Sequence, residues 1–196
     1  VGAEWRNGGR YSAYDITPFE QTILIDSDVL VLDKNLLKLL DTTEDYKILG
    51  KNRYSRMYVS DKLGSWSIPF QWATVIVFKK TLKTKCLFEM VERIQNNYRY
   101  YTRLYGITTS NFRNDYAFTI ANNIINGHTL DNENIIPWPL TMIEYEVKDI
   151  ELIGDNKLIV RNEEMALLLP KHNLHVLDKM YLLSDGFKTL LEKLCQ

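Results

Sequence analysis

The sequence predicts an α/β protein organised as one domain over residues 1–196, and three observations lead there. After Thr22, the run to Leu32 is apolar except for Asp26, Ser27 and Asp28, the pattern of a strand that ends in a polar site. Gln71 to Lys79 is a second, near-continuous apolar run, as expected of a strand buried on both faces. Segments with helical periodicity alternate with these strands, which favours a mixed sheet flanked by helices. A chain of 196 residues buries enough surface to fold by itself.

Taken in order, Tyr14 to Glu20 reads as a short helix and turn that feed the first strand. Asp33 to Asp41 predicts a short helix with Asp33 as its N-cap and Leu36, Leu37 and Leu40 on its apolar face. Tyr46 to Leu49 suits a short strand, and residues 50–68 a polar, aromatic loop. Thr81 to Tyr105 predicts one long amphipathic helix, with Leu87, Met90, Val91, Ile94 and Tyr98 at helical spacing and Gly106 as its terminator. Asn114 to Asn126 predicts another, with Phe118, Ala121, Ile124 and Ile125 on its apolar face and Gly127 ending it. Pro137-Trp138-Pro139 imposes an extended connection. Residues 149–161 suit a hairpin turning at Gly154-Asp155-Asn156, Met165 to Leu169 a further strand, and the tail from Asp185 a helix.

Composition narrows the function classes. With 24 Lys and Arg against 25 Asp and Glu, the net charge is −1, and the basic residues form no stripe, so a dedicated nucleic-acid binder is not expected. No apolar run reaches the roughly 18 residues of a membrane span, and no secretory leader pattern is visible. Cys86 and Cys195 form neither a CxxC pair nor a framework. A reducing, cytoplasmic setting is the expectation.

The chemistry concentrates at Asp26-Ser27-Asp28. In an extended chain, residues i and i+2 face the same side, so both carboxylates can converge unless the chain turns between them. Two carboxylates set in an apolar stretch repel each other and are costly to bury. A hard divalent cation removes that cost, and its open positions suit a phosphate. The end of a strand in an α/β sheet is also where ligands usually sit.

Pro18-Phe19-Glu20-Gln21-Thr22-Ile23-Leu24-Ile25-Asp26-Ser27-Asp28-Val29-Leu30-Val31 resembles the DxD segment of nucleotide-sugar glycosyltransferases of the GT-A fold, in particular the glycogenin-like and lipopolysaccharide galactosyltransferase-like groups. The resemblance implies a GT-A-like domain in which Asp26 and Asp28 hold Mn²⁺ or Mg²⁺ against the diphosphate of a nucleotide sugar, a UDP-sugar above all. It implies a hexosyl transfer to a carbohydrate, lipid or protein acceptor, with retention at the anomeric carbon. Asn114-Asp115 matches the start of the family's N-D-Q segment, which makes Asp115 the sugar-orienting residue; Tyr116 stands where the Gln would be. Trp72-Ala73-Thr74-Val75 aligns with the family's N-A-G-V segment at Ala73 and Val75, leaving Trp72 to pack or to stack on the sugar. His175 and Lys179 follow the order of the family's late His and Lys, the His completing the metal shell and the Lys meeting a phosphate. The family's N-terminal βα units, which bind the nucleobase and ribose, have no counterpart ahead of the polar, Gly-rich opening, so they are expected to be missing or reduced.

Other readings of the same residues stay open. Asn114 or Asp115 can be a plain helix N-cap. His175, set between Leu174 and Val176, can be an ordinary buried histidine, and His172 and His128 sit in polar loops. The whole chain can be a catalytically degenerate GT-A-like binding or assembly domain. A phosphatase of the haloacid dehalogenase type also opens with Asp-x-Asp at a strand end, but it needs a late acidic pair, and Gly154-Asp155-Asn156-Lys157 supplies one carboxylate.

Overall fold

The computed structural model describes residues 8–50, 52–53, 62–63, 68–129 and 134–194. In chain order these form helix α1 (Ala13–Ile16), strands β1 (Gln21–Ile25), β2 (Val29–Leu30), β3 (Tyr46–Leu49), β4 (Asn52–Arg53), β5 (Lys62–Leu63), β6 (Ile68–Pro69) and β7 (Trp72–Lys79), and helices α2 (Leu82–Asn96), α3 (Tyr98–Leu104) and α4 (Asn114–Ile125). Strands β8 (Ile135–Ile136), β9 (Leu140–Ile143), β10 (Asp149–Ile153), β11 (Lys157–Arg161), β12 (Ala166–Pro170) and β13 (Leu174–Val176) follow, then helices α5 (Lys179–Leu182) and α6 (Asp185–Leu194). The protein is thus mixed α/β, with several sheets. Its described residues fall into two compact units, one from 8–26, 38–50, 62–63, 68–129 and 134–139, the other from 27–37, 52–53 and 140–194.

The first unit is built on the sheet β1-β7-β3-β8. Strand β7 pairs antiparallel with β1 and β3, while β3 pairs parallel with β8. This sheet is mixed, as expected. The apolar run of β7 is buried from Ala73 to Phe78, which explains why it lacks polar alternation. Helices α2 and α4 pack on each other, and α4 packs on β7. Thr81 caps α2 by accepting from the Thr84 amide. Leu87, Phe88, Val91 and Ile94 bury one face of α2, and Ala117, Phe118, Ile120 and Ala121 that of α4. Phe88 joins Phe78 and Phe118 at ring separations of 4.8 and 5.5 Å, so an aromatic chain ties sheet to helices.

One long helix over residues 81–105 does not form. Asn97 leaves helical geometry at φ −125° and ψ 31°, splitting it into α2 and α3. Its side-chain amide donates to the Arg93 carbonyl at 2.9 Å, the local competition that makes Asn a poor interior helix residue. Gly106 ends α3 with φ 66°, as its position predicts.

The second unit holds two sheets. Strands β2-β13-β9-β4 form a mixed sheet, and β10-β11-β12 an antiparallel meander. The predicted hairpin pairs Asp149 with Arg161 and Ile153 with Lys157, and turns with Gly154 at φ 59°. Its core gathers Leu30, Ile143, Ile150, Leu158, Val160 and Val176 with Tyr181 and Leu190. The sequence pattern predicts none of β9, β13 and α5. Asp178 caps α5, accepting from the Met180 and Tyr181 amides, and also accepts from Val147.

Two further expectations change. Asn35–Asp41 is a 3-10 helix, so its period is three residues: Leu36 and Leu39 are buried while Leu37 and Leu40 are exposed. Within the run 50–68, β4, β5 and β6 replace a featureless loop, while Tyr54, Arg56 and Trp66 lie outside the described residues, as does Cys195. Among the described residues, no helix is long and apolar enough to cross a membrane.

Candidate functional site

Each unit holds part of the predicted residue set. In the second, the short strand β13 carries His175 inward between Leu174 and Val176, all three buried. Antiparallel pairing sets His175 opposite Val29 at the start of β2. The Val176 amide donates to the Asp28 carbonyl at 3.0 Å, fixing the residue ahead of β2 beside the histidine. His175 Nε2 lies 3.2 Å from Asp28 Oδ1, and the Lys179 ammonium donates to Asp28 Oδ2. Helix α5 delivers Lys179 as its first residue, directly after the Asp178 cap.

The electrostatics of this trio are strong. Burial alone would push the Asp28 carboxyl up. The hydrogen bonds and charges of His175 and Lys179 outweigh it and hold Asp28 well below the usual carboxylate range. The Asp28 side chain is 10 % exposed and that of His175 6 %, whereas that of Lys179 is 62 % exposed. The ammonium is therefore the solvent-facing member of the trio, and the other two are buried. Among the described residues, the buried Nδ1 of His175 has no hydrogen-bond partner.

In the first unit, the end of β1 and the start of β7 bring Asp26, Trp72 and Asp115 to one place. The Asp26 amide donates to the Thr74 carbonyl at 3.0 Å. The Ala73 amide donates to Asp115 Oδ1 at 2.9 Å, and Arg113 donates to Asp115 Oδ2 at 3.0 Å. Asp115 is thus not the cap of α4; it ties the first turn of that helix to β7. Burial alone would lower the Arg113 guanidinium pKa, but the charge of Asp115 reverses that and leaves it raised. Trp72 is half-buried and meets Phe70 edge-on at 5.1 Å, the packing role open to it in the sequence.

Arg10 is the residue that sequence reasoning missed here. Its guanidinium donates both to the Asp26 carboxylate and to the Ala73 carbonyl. Gly9, at φ 88°, turns the chain into the 3-10 turn that presents it. No periodicity or spacing marks Arg10, because its partners lie 16 and 63 residues away. Each carboxylate of Asp26-Ser27-Asp28 consequently has a basic partner from the chain itself, Arg10 for Asp26 and Lys179 for Asp28. The charge cost that suggests a metal is met internally when none is bound.

The extended-strand argument for convergence does not apply, because Ser27 and Asp28 form a turn between β1 and β2. The two loop histidines are anchored. His172 Nδ1 lies 2.9 Å from Asp33 Oδ2, and the Asn173 amide donates to Asp33 Oδ1 at 2.9 Å. Asp33 also accepts from the Asn35 amide at 2.8 Å, an Asx-turn contact one residue ahead of the cap position, because the 3-10 helix starts at Asn35. His128 Nδ1 is 2.7 Å from the Asn123 side-chain amide.

No protein-family model matches this chain, and neither a curated protein nor a solved structure matches it.

Proposed function

We propose that this protein is a metal-dependent glycosyltransferase of GT-A type that uses a nucleotide-diphosphate sugar, a UDP-sugar in the first instance. The observation that carries the reading is the buried Asp28–His175 pair with an exposed Lys179 paired to the same carboxylate. Ser27 alone separates Asp26 from Asp28, so covalent geometry keeps their Cα atoms within about 7 Å however the chain turns. Two carboxylates and an imidazole form a donor set suited to Mn²⁺ more than to Mg²⁺. His175 presents Nε2 to the Asp28 carboxylate, and that nitrogen would ligate a cation there.

Asp26, Asp28 and His175 would hold the cation, which supplies Lewis-acid neutralisation of the leaving diphosphate. Lys179 releases Asp28 and turns its ammonium to a phosphate oxygen, one charge partner exchanged for another. Arg10 makes the same exchange at Asp26. Asp115, fixed by Ala73 and Arg113, keeps lone pairs for sugar hydroxyls and acts by positioning. Trp72, half-buried, would stack its indole on the sugar. The test is thermal shift and UDP release with Mn²⁺ and a panel of nucleotide sugars. Metal-dependent stabilisation with product release, both lost in Asp28→Ala, supports the reading; no response to any donor in a folded protein rejects it.

A second reading has its own observation. With Arg10 and Lys179 already neutralising both aspartates, a non-catalytic binding or assembly domain can keep this motif without a cation. It predicts that Mn²⁺ and nucleotide sugars leave the melting temperature unchanged.

A further inference from the structure

We propose that the first unit carries a separate binding site for a small hydroxylated phosphate, of the class of sugar monophosphates, in the cavity between helix α3 and the segment that follows it. The cavity measures about 600 Å³, within the size range of small-molecule sites. It lies wholly inside that unit, so the proposal is independent of the metal-site reading.

Three features define the ligand. Arg99 and Arg103 both line the cavity, one helical turn apart on α3. Among the described residues neither forms an ion pair, so two like charges face one space without a carboxylate between them. Like charges at this spacing are mildly unfavourable on a helix, and a tetrahedral dianion relieves both. Gln95, near the end of α2, also lines the cavity. Its side-chain amide can give and accept hydrogen bonds with a ligand hydroxyl once it turns to the cavity. The opposite side carries Thr109 and Ser110, which can give or accept further hydrogen bonds. Phe112, held edge-on against Tyr98 at 5.1 Å, provides an apolar wall of the kind a sugar ring packs on.

The arginines select an anion, Thr109 and Ser110 with Gln95 suit a hydroxylated body, and the cavity volume limits it to a monomer. A neutral sugar lacks the charge, and inorganic phosphate and citrate lack a ring to set against Phe112.

The experiment is calorimetric titration of the full chain in EDTA with glucose 6-phosphate, glucose, inorganic phosphate and citrate, at constant ionic strength. Saturable binding of glucose 6-phosphate at least about tenfold tighter than the other three is expected, the scale of one lost charge-assisted contact. Arg99→Gln and Arg103→Gln should each weaken it, and Gln95→Leu should bring its affinity down toward that of inorganic phosphate. Both arginines are exposed, so their variants should fold, which circular dichroism checks. Equal binding of citrate and glucose 6-phosphate, binding that survives the double arginine variant, or no binding to the folded wild type would each overturn the proposal.

Discussion

Lys179 and Asp28 stand 151 residues apart in the chain and form one ion pair, with the ammonium on Oδ2 while His175 Nε2 sits at Oδ1. The pair is asymmetric. The carboxylate is buried and fixed, whereas the cation is a long, mostly exposed side chain. Such a lysine can guard an anionic site when it is empty and serve a ligand when it is filled.

Removing that lysine should separate its two roles. Lys179→Ala is expected to tighten Mn²⁺ binding, because the metal no longer competes with an ammonium for Asp28. It should weaken binding of a nucleoside diphosphate in the presence of Mn²⁺. Each change should be on the order of tenfold, the scale of one charge-assisted hydrogen bond. Calorimetric titration of metal alone, then of UDP with metal, reads both. Opposite signs support the exchange, and a parallel loss would show that Lys179 only supports the fold.

Asp115 is a structural tie as well as a proposed sugar contact. Asp115→Ala removes an acceptor from the Ala73 amide and a partner from Arg113, and should cost about 1.5–3 kcal/mol, the range for hydrogen bonds to a charged group. Asp115→Asn keeps an acceptor for Ala73 and should cost less. Urea unfolding measures the order, and equal losses would contradict this division of labour.

Acid should destabilise the second unit through Asp28 and Asp178. For Asp178, burial pushes the carboxyl up, but the Val147, Tyr181 and Met180 amides outweigh it and hold it low. Asp28 is held low by His175 and Lys179 despite its burial. Both folded-state pKa values lie below the unfolded value of about 3.9, so their stabilisation is complete above that pH and is lost as pH falls through the folded values. Melting temperature followed downward from pH 6 should fall below about pH 4. The Asp178→Asn variant should start lower and fall less steeply, and an identical slope would remove Asp178 from the account.

Tyr46 tests the first unit from the alkaline side. Its hydroxyl donates to Asn122 Oδ1 at 2.7 Å and accepts from the Asn126 amide at 3.0 Å. Burial pushes its pKa up to about 12, with Asn126 opposing in part. The folded value lies above the unfolded one of about 10, so stability from this group is full below pH 10 and is lost as pH rises toward 12. Tyr46→Phe should cost about 0.5–1.5 kcal/mol, the net worth of a hydrogen bond, because Asn122 Oδ1 still accepts from the Asn126 amide at 2.8 Å. Its ultraviolet titration curve should lack one late-ionising phenol; an unchanged late phase would contradict the assignment.

Local pattern was enough for the elements with strong periodicity. The apolar run of β7, the hairpin turning at Gly154, and the stops at Gly106 and Gly127 all depend on neighbours a few residues away. Asp26-Ser27-Asp28 was visible as a motif for the same reason. Where side chains compete with backbone over one turn, as at Asn97, or where a helix takes three residues per turn, as at Leu36 and Leu39, periodicity alone misleads.

The sequence by itself determined that two aspartates stand one residue apart within an apolar run, since that is covalent. Only the tertiary structure decided what each aspartate meets. Arg10 reaches Asp26 from a turn ahead of β1, and His175 and Lys179 reach Asp28 from the far end of the chain. Such pairings are chosen by sheet register and helix placement, with β13 set beside β2 and α5 started by Asp178. Charge is compensated by groups brought together in space, and spacing along a chain carries no record of that.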